Sequence, residues 1–319
     1  MLTQGEDVVF GSNQTSPVAE YAATGEIERV YHEVRQTLRV RGINLIFRTW
    51  AGHKGLLPIL WDTVRPNAET MMFEQSSDQI RAAAVELAKP LGDLGAKQQT
   101  SLGPSQAFQL HEILKLYHYI NPKLLLIASA VRQGLDGELS IKRYSATEPA
   151  ERIAPGVPAE MAALEMEDEN PSDEQLQTLF SDITETLSLR SINSDYRSLA
   201  LWPNYLDAVW RNLKPKVQSP AYTAAADHLR ERSRRLASEL PYPVPLSRTR
   251  LEGEGIDFDE TLRSCETFEQ LLPGLILNIA MCLRDWQPDD ALLQSPFPAT
   301  AISPNSQNDE RPEFTGGAK

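Results

Sequence analysis

The chain resembles itself. Residues 37–88 slide onto 186–237 without a gap, an offset of 149, and 14 of those 52 positions are identical. The identities include Ile43-Asn44 with Ile192-Asn193, Arg48 with Arg197, Trp61 with Trp210, Pro66 with Pro215, and Asp78 and Arg81 with Asp227 and Arg230. Further on, Asn121-Pro122 before Leu124–Val131 parallels Leu272-Pro273 before Leu275–Leu283, with the offset grown by two. A duplication constrains the fold more than any composition does. Each copy must adopt the same local structure, and equivalent apolar faces can bury one another as in an isologous dimer fused into one chain.

The repeating unit reads as helix. Ile27, Val30, Val34 and Leu38 fall at helical spacing with charges between them, and similar patterns recur at 77–89, 105–118, 123–133, 175–187, 222–239 and 260–284. Ser172 with Gln175 has the spacing of a capping box, and Ser219-Pro220 is a helix start. Asn121-Pro122 reads as another start. No run alternates with period two, so the expected class is all-α, two tandem repeats packed as an intramolecular pseudo-dimer.

The expected organisation is a flexible arm over 1–24, repeat one over 25–137, an acidic Pro-containing linker over 138–174, repeat two over 175–286 and a disordered tail over 287–319. The linker carries Pro149, Pro155, Pro158, Pro171 and the run Glu165, Glu167, Asp168, Glu169. The tail is rich in Pro, Ser and Asn.

Charge narrows the partners. With 31 Lys+Arg against 44 Asp+Glu the formal net charge is −13, which repels polyanions, so no nucleic-acid partner is expected. The most apolar run, Leu271–Leu283, is too short to cross a bilayer, and the amino terminus lacks a basic start and an apolar stretch, so neither membrane nor secretion is expected. Only Cys265 and Cys282 are present, which suits a reducing cytoplasm. His111 and His118 are seven apart instead of four, against a zinc helix; Gly253 and Gly255 follow no strand, and no Walker or G-x-S-x-G sequence occurs. No metal and no cofactor is expected. The five Trp residues read as core, and the sequence leaves room for a homo-oligomer.

Positions equivalent in packing but different in chemistry mark a site used once. Leu45-Ile46 in one copy corresponds to Ser194-Asp195 in the other. An Asp in the place of an Ile is expected to be partly buried, at a cost of several kcal/mol if unpaired, which makes it a functional candidate. The competing reading is that Ser194 or Asp195 caps a helix. Thr70 and Glu74, one turn apart, correspond to Ser219 and Thr223, and Asn121 to Leu272. For Glu74 the plainer reading is a solvated helix face; for Asn121, a helix cap.

At these residues the sequence resembles the group I 2-haloacid dehalogenases, the non-stereospecific DehI and DL-DEX type. The match runs over roughly 24–285. Its pieces are Tyr31–Val40 ending Thr-Leu-Arg-Val, Arg65–Thr70, Tyr119–Lys123 followed by Leu-Leu, and Ser194–Arg197 followed by Trp202-Pro203. The resemblance implies an all-α pseudo-dimer that hydrolyses D- and L-2-haloalkanoic acids to 2-hydroxy acids with inversion. Water would attack C2 directly, without an ester intermediate. It implies Asp195 as the water-activating base, Asn121 as the group orienting that water, Thr70 and Glu74 as essential residues, and Ser194 at the substrate carboxylate. Desolvation would raise Asp195 from the usual value near 3.9. Helix starts could hold the substrate's charge, with help from Arg41 or Arg190.

Departures fall on the substrate walls. The family's pocket Trp and Phe fall on Gly42 and Leu45, its His-His-Gly-Pro-Ala on Leu189–Asn193, and a late pocket Tyr on Phe268. The base is kept while the walls change, so the substrate expected is a small 2-substituted carboxylic acid whose identity stays open. The alternative is a catalytically idle binding or scaffold protein on the same fold.

Overall fold

A computed structural model describes residues 16–137 and 150–302. It is all-helical; among the described residues there is no strand, only the isolated bridges Thr70–Arg152 and Ile153–Ala301. The helices are α1 (Gly25–Leu38), α2 (Leu45–Gly52), α3 (Leu56–Ala68), α4 (Met71–Ala88), α5 (Pro104–Leu135), α6 (Glu174–Thr186), α7 (Ser194–Leu199), α8 (Pro203–Val217), α9 (Pro220–Glu239), α10 (Arg248–Gly253) and α11 (Phe258–Arg284).

Helix starts follow the 149-residue offset: Gly25 with Glu174, Leu45 with Ser194, Met71 with Pro220. Contacts follow it too. Trp61 Nε1 donates to Glu33 Oε2 at 3.0 Å and Trp210 Nε1 to Asp182 Oδ2 at 2.7 Å. Thr70 caps α4 by accepting from Phe73 N, and Ser219 caps α9 by accepting from Tyr222 N. Each cap satisfies one of the N–H groups that a helix start leaves orphaned. The capping box at Ser172 is displaced by one residue: Asp173, whose carboxylate accepts from Leu176 N at 2.9 Å, is the cap of α6.

The long helices α5 and α11 pack on each other at the centre, with α4 and α9 against both. Trp50, Trp61 and Trp210 are buried as expected of core; Trp202 and Trp286 are half-buried.

Pro122 does not begin a helix. It lies inside α5, which runs unbroken for 32 residues, and Pro273 lies inside α11 in the same way. An internal Pro removes the N–H that would bond the carbonyl four residues back and costs about 3 kcal/mol. On α5 the deprived carbonyl is His118 O, and the fully buried Arg81 supplies the missing donor: Nε to His118 O at 2.9 Å and Nη2 to Tyr119 O at 3.1 Å. Hydrogen bonds from a charged donor contribute about 1.5–3 kcal/mol each, enough to offset the Pro.

Three segments expected to be loose are docked where they are described. In the arm, residues 16–24 carry Val18, whose N–H donates to Arg48 O and whose carbonyl accepts from Tyr31 OH. In the linker, residues 150–173 form no helix but bury Ile153, Met161 and Pro171, and Glu174 already begins α6. The tail bonds Ala154 N to Thr300 O and Ile302 N to Arg152 O, and buries Leu292 and Phe297. Two apolar side chains and two backbone bonds suffice to hold a segment without periodicity. The parts of the expected arm, linker and tail at 1–15, 138–149 and 303–319 lie outside the described residues.

Candidate active site

Asn193, in extended conformation, precedes α7 and makes no side-chain cap, which leaves Asp195 as the second residue of the helix. Asp195 is therefore not the cap. Its side chain is 4% exposed and faces α5, where Asn121, 3% exposed, donates Nδ2 to Asp195 Oδ1 at 2.7 Å. Asn121 is not a cap either, because it lies in mid-helix. Burial pushes the Asp195 carboxyl up to about 6, opposed by hydrogen bonds from Asn121, from its own backbone N–H and from Ser194. A base poised near neutrality is ionised at pH 7 and still basic enough to take a proton.

One turn before Asn121, Tyr117 bonds Ser198 Oγ at 2.8 Å, and Ser198 Oγ donates onward to Glu165 O at 2.9 Å. Burial, and next the Asp195 charge, hold the Tyr117 phenol well above its ordinary value, so it stays protonated. Asp195 also borders a cavity of about 10 Å³ walled by Tyr196, Leu199, Leu275, Asn278 and Cys282. That is about the size of one water molecule, within an apolar exposed lining. The Cys282 thiol, like that of Cys265, is free and buried, and desolvation pushes it up strongly.

Thr70 and Glu74 belong to a different cluster. Thr70 is fully buried, donates to Asn67 O at 2.7 Å and caps α4. Glu74, 5% exposed and not on a solvated face, pairs with the fully buried Lys123, whose Nζ also donates to Tyr119 OH at 2.6 Å and reaches Leu38 O at 3.4 Å. Residues 121 and 123 lie about 200° apart around α5, so Asn121 faces Asp195 while Lys123 faces α4. The two clusters share a helix and not a cavity.

The remaining sequence candidates sit apart. Ser194 is half-buried at the first position of α7. Gly42 lies against Glu20 Oε1 and Leu164, which occupy the space a larger side chain would take. Leu45, 38% exposed, starts α2, and Phe268 is buried on α11; none of Gly42, Leu45 and Phe268 lines the cavity beside Asp195. Arg41 is committed to Met161 O. Among the described residues no three His, Cys, Asp or Glu side chains gather as a metal site would require, and no helix is long and apolar enough to cross a membrane.

Comparison with known proteins shows what this chain resembles. A family model described as "Halocarboxylic acid dehydrogenase DehI" matches residues 42–196, a span that contains Thr70, Glu74, Asn121, Ser194 and Asp195. An (R)-2-haloacid dehalogenase of Pseudomonas putida is 29% identical over 280 residues, 82% of this chain and 90% of its own. The chain is similar to the DehI family of 2-haloacid dehalogenases. A configuration-inverting 2-haloacid dehalogenase of Alcaligenes xylosoxydans xylosoxydans matches at 25% identity over 88% of this chain and 97% of its own. A solved D-2-haloacid dehalogenase in complex with L-LA superposes with a TM-score of 0.77 at 26% identity, covering 85% of this chain and 96% of that one.

The sequence reading passed over Lys123, Arg81, Tyr117 and Asn278 as parts of either cluster. For Asn278 a signal existed: it is a lone polar residue inside the apolar run Leu275–Leu283. Such a residue must find a buried partner.

Proposed function

We propose that this chain hydrolyses 2-haloalkanoic acids of both configurations to 2-hydroxy acids, with Asp195 as the general base. The observation that carries this reading is the Asn121–Asp195 bond beside a cavity about the size of one water. Asn121 holds Asp195 Oδ1, and the carboxylate accepts a proton from that water. As the proton moves to Asp195, the water oxygen forms a bond to C2 from the side opposite the halogen. The carbon–halogen bond breaks, the halide leaves with the electron pair, and C2 inverts. The proton then passes from Asp195 to solvent. No ester forms, and the chain itself supplies every group the reaction needs, without a cofactor. Ser194, at the start of α7, offers hydroxyl and backbone N–H groups to the substrate carboxylate.

We read Thr70 and Glu74 as positioning residues, because Glu74 holds Lys123 two residues from Asn121. Gly42, Leu45 and Phe268 are assigned to the wall that selects the substrate, a small 2-substituted carboxylic acid. The matched helix starts and the paired Trp and cap contacts support a duplicated chain packed as a pseudo-dimer, with repeats over 25–137 and 175–286. The two free thiols suit a cytoplasmic enzyme.

The test is chloride release from each enantiomer of 2-chloropropionate, with Asp195→Asn as the inactive control. A single turnover in ¹⁸O-water places the label in the product hydroxyl if water attacks C2. Label in the Asp195 carboxylate would refute the direct attack, and absence of halide release from every 2-haloacid would favour an idle binding protein.

A further inference from the structure

A second cavity, of about 250 Å³, opens between α9 and α11 and shares Leu275 and Asn278 with the small cavity at Asp195. Its origin is visible in the duplicated pattern. In the first set of helices, Glu74, Lys123 and Tyr119 fill the space beside Leu38, and Arg81 reaches the carbonyls before Pro122. The matching positions of the second set carry Thr223, Gly274 and Gln270 beside Leu187 and Arg230. An ion pair and a phenol are gone, and a cavity stands in their place.

Arg230, beside Asp227 in the lining, equips it for an anion. Arg230 keeps the counterpart of the Arg81–Asp78 pair, donating Nη2 to Asp227 Oδ1 at 2.8 Å, but its guanidinium makes no other bond among the described residues. The N–H groups that Arg81 spends on α5 carbonyls are thus free here, and a guanidinium fork matches a carboxylate. At the inner end, Asn278 accepts from Tyr222 OH at 2.7 Å and donates to Tyr196 OH at 2.8 Å. A Cβ on Gly274 would lie 3.0 Å from the Tyr222 oxygen, so glycine there lets the hydroxyl sit against the helix. The volume is below the ~300 Å³ at which drug-sized ligands begin, and suits a short-chain acid.

We propose that this cavity is an antechamber in which Arg230 receives the carboxylate of a 2-substituted acid before it passes Asn278 to reach Asp195. The proposal rests on the hydrolytic reading of Asp195 for its place in the reaction, but not for its ligand. In a protein of net charge −13, a local cation is what draws in a small anion.

The experiment compares wild type, Arg230→Gln and Ala226→Trp, the last filling the cavity, each checked for an unchanged melting temperature. With 2-chloropropionate, Arg230→Gln should raise KM about tenfold with kcat within about twofold, and flatten the salt dependence of kcat/KM. Ala226→Trp should lower kcat/KM about tenfold, and further for 2-bromohexanoate. If wild type releases halide and both variants stay within about twofold in kcat/KM, the antechamber is refuted. If wild type releases none, the hydrolytic reading fails, and calorimetric titration with L-lactate decides the cavity alone. Affinity weakened about tenfold in Arg230→Gln supports it, and equal affinity overturns it.

Discussion

Asn121 and Asp195, 74 residues apart in sequence, meet in a buried 2.7 Å hydrogen bond that joins α5 to α7. The proposed chemistry depends on a carboxylate kept out of water and partnered only by neutral groups, the Asn121 amide first among them. An ion pair there would hold the carboxyl low and spoil it as a base; no partner at all would leave it protonated at pH 7.

The rate of halide release should therefore rise through about pH 6 and level off above it, following ionisation of Asp195. Stability runs the other way. The folded value lies above the ordinary 3.8, so the native state binds the extra proton between about pH 4 and 6, and stability falls as pH rises through that window. Asp195→Asn removes this slope. It should be inactive yet more stable than wild type at pH 8, by about 3 kcal/mol, and no more stable at pH 3, as urea titrations would report.

Asn121→Leu copies the residue found at position 272. It strips Asp195 of the hydrogen bond that opposes desolvation, so the acid limb of the rate profile should move above pH 6 and kcat at pH 7 drop at least ~10-fold. An unmoved limb would show that Asn121 does not act through Asp195.

Lys123→Met leaves Glu74 buried and alone, which should cost about 3–5 kcal/mol. The double variant Glu74→Gln/Lys123→Met removes both charges and should lose less than Lys123→Met by itself. Denaturant midpoints of the three proteins check this; strict additivity would deny the coupling.

Arg81→Leu should destabilise by about 2–4 kcal/mol through the orphaned His118 and Tyr119 carbonyls. Adding Pro122→Ala to that variant restores an N–H for His118 O and should recover at least ~1 kcal/mol. Arg230→Leu, which breaks a half-buried pair and orphans no carbonyl, should cost less than Arg81→Leu, about 1 kcal/mol.

Much of this was legible in the sequence because two copies of one pattern carry their own comparison. Asp195 and Asn121 stood out as polar residues where the other copy has Ile46 and Leu272. What stayed hidden has one physical cause: a tertiary contact that overrides a local rule. Pro122 breaks helices unless a distant arginine mends the carbonyl, and nothing near position 122 announces Arg81. Residues 287–302 lack periodicity, yet Arg39 Nη1 donating to Phe297 O and His118 Nε2 bonding Leu292 O tie them down. The separation of Glu74 from Asp195 followed from residues 121 and 123 facing opposite ways, which requires knowing that the helix continues through the proline.

The two cysteines acquire meaning from the chemistry proposed around them. A 2-haloacid alkylates thiolates, and Cys282 lines the very cavity that Asp195 borders. Desolvation keeps that sulfur protonated and therefore a poor nucleophile, so under the proposed chemistry the protein would not be consumed by its own substrate. The apolar lining that would make Asp195 a working base would also spare the protein from poisoning itself.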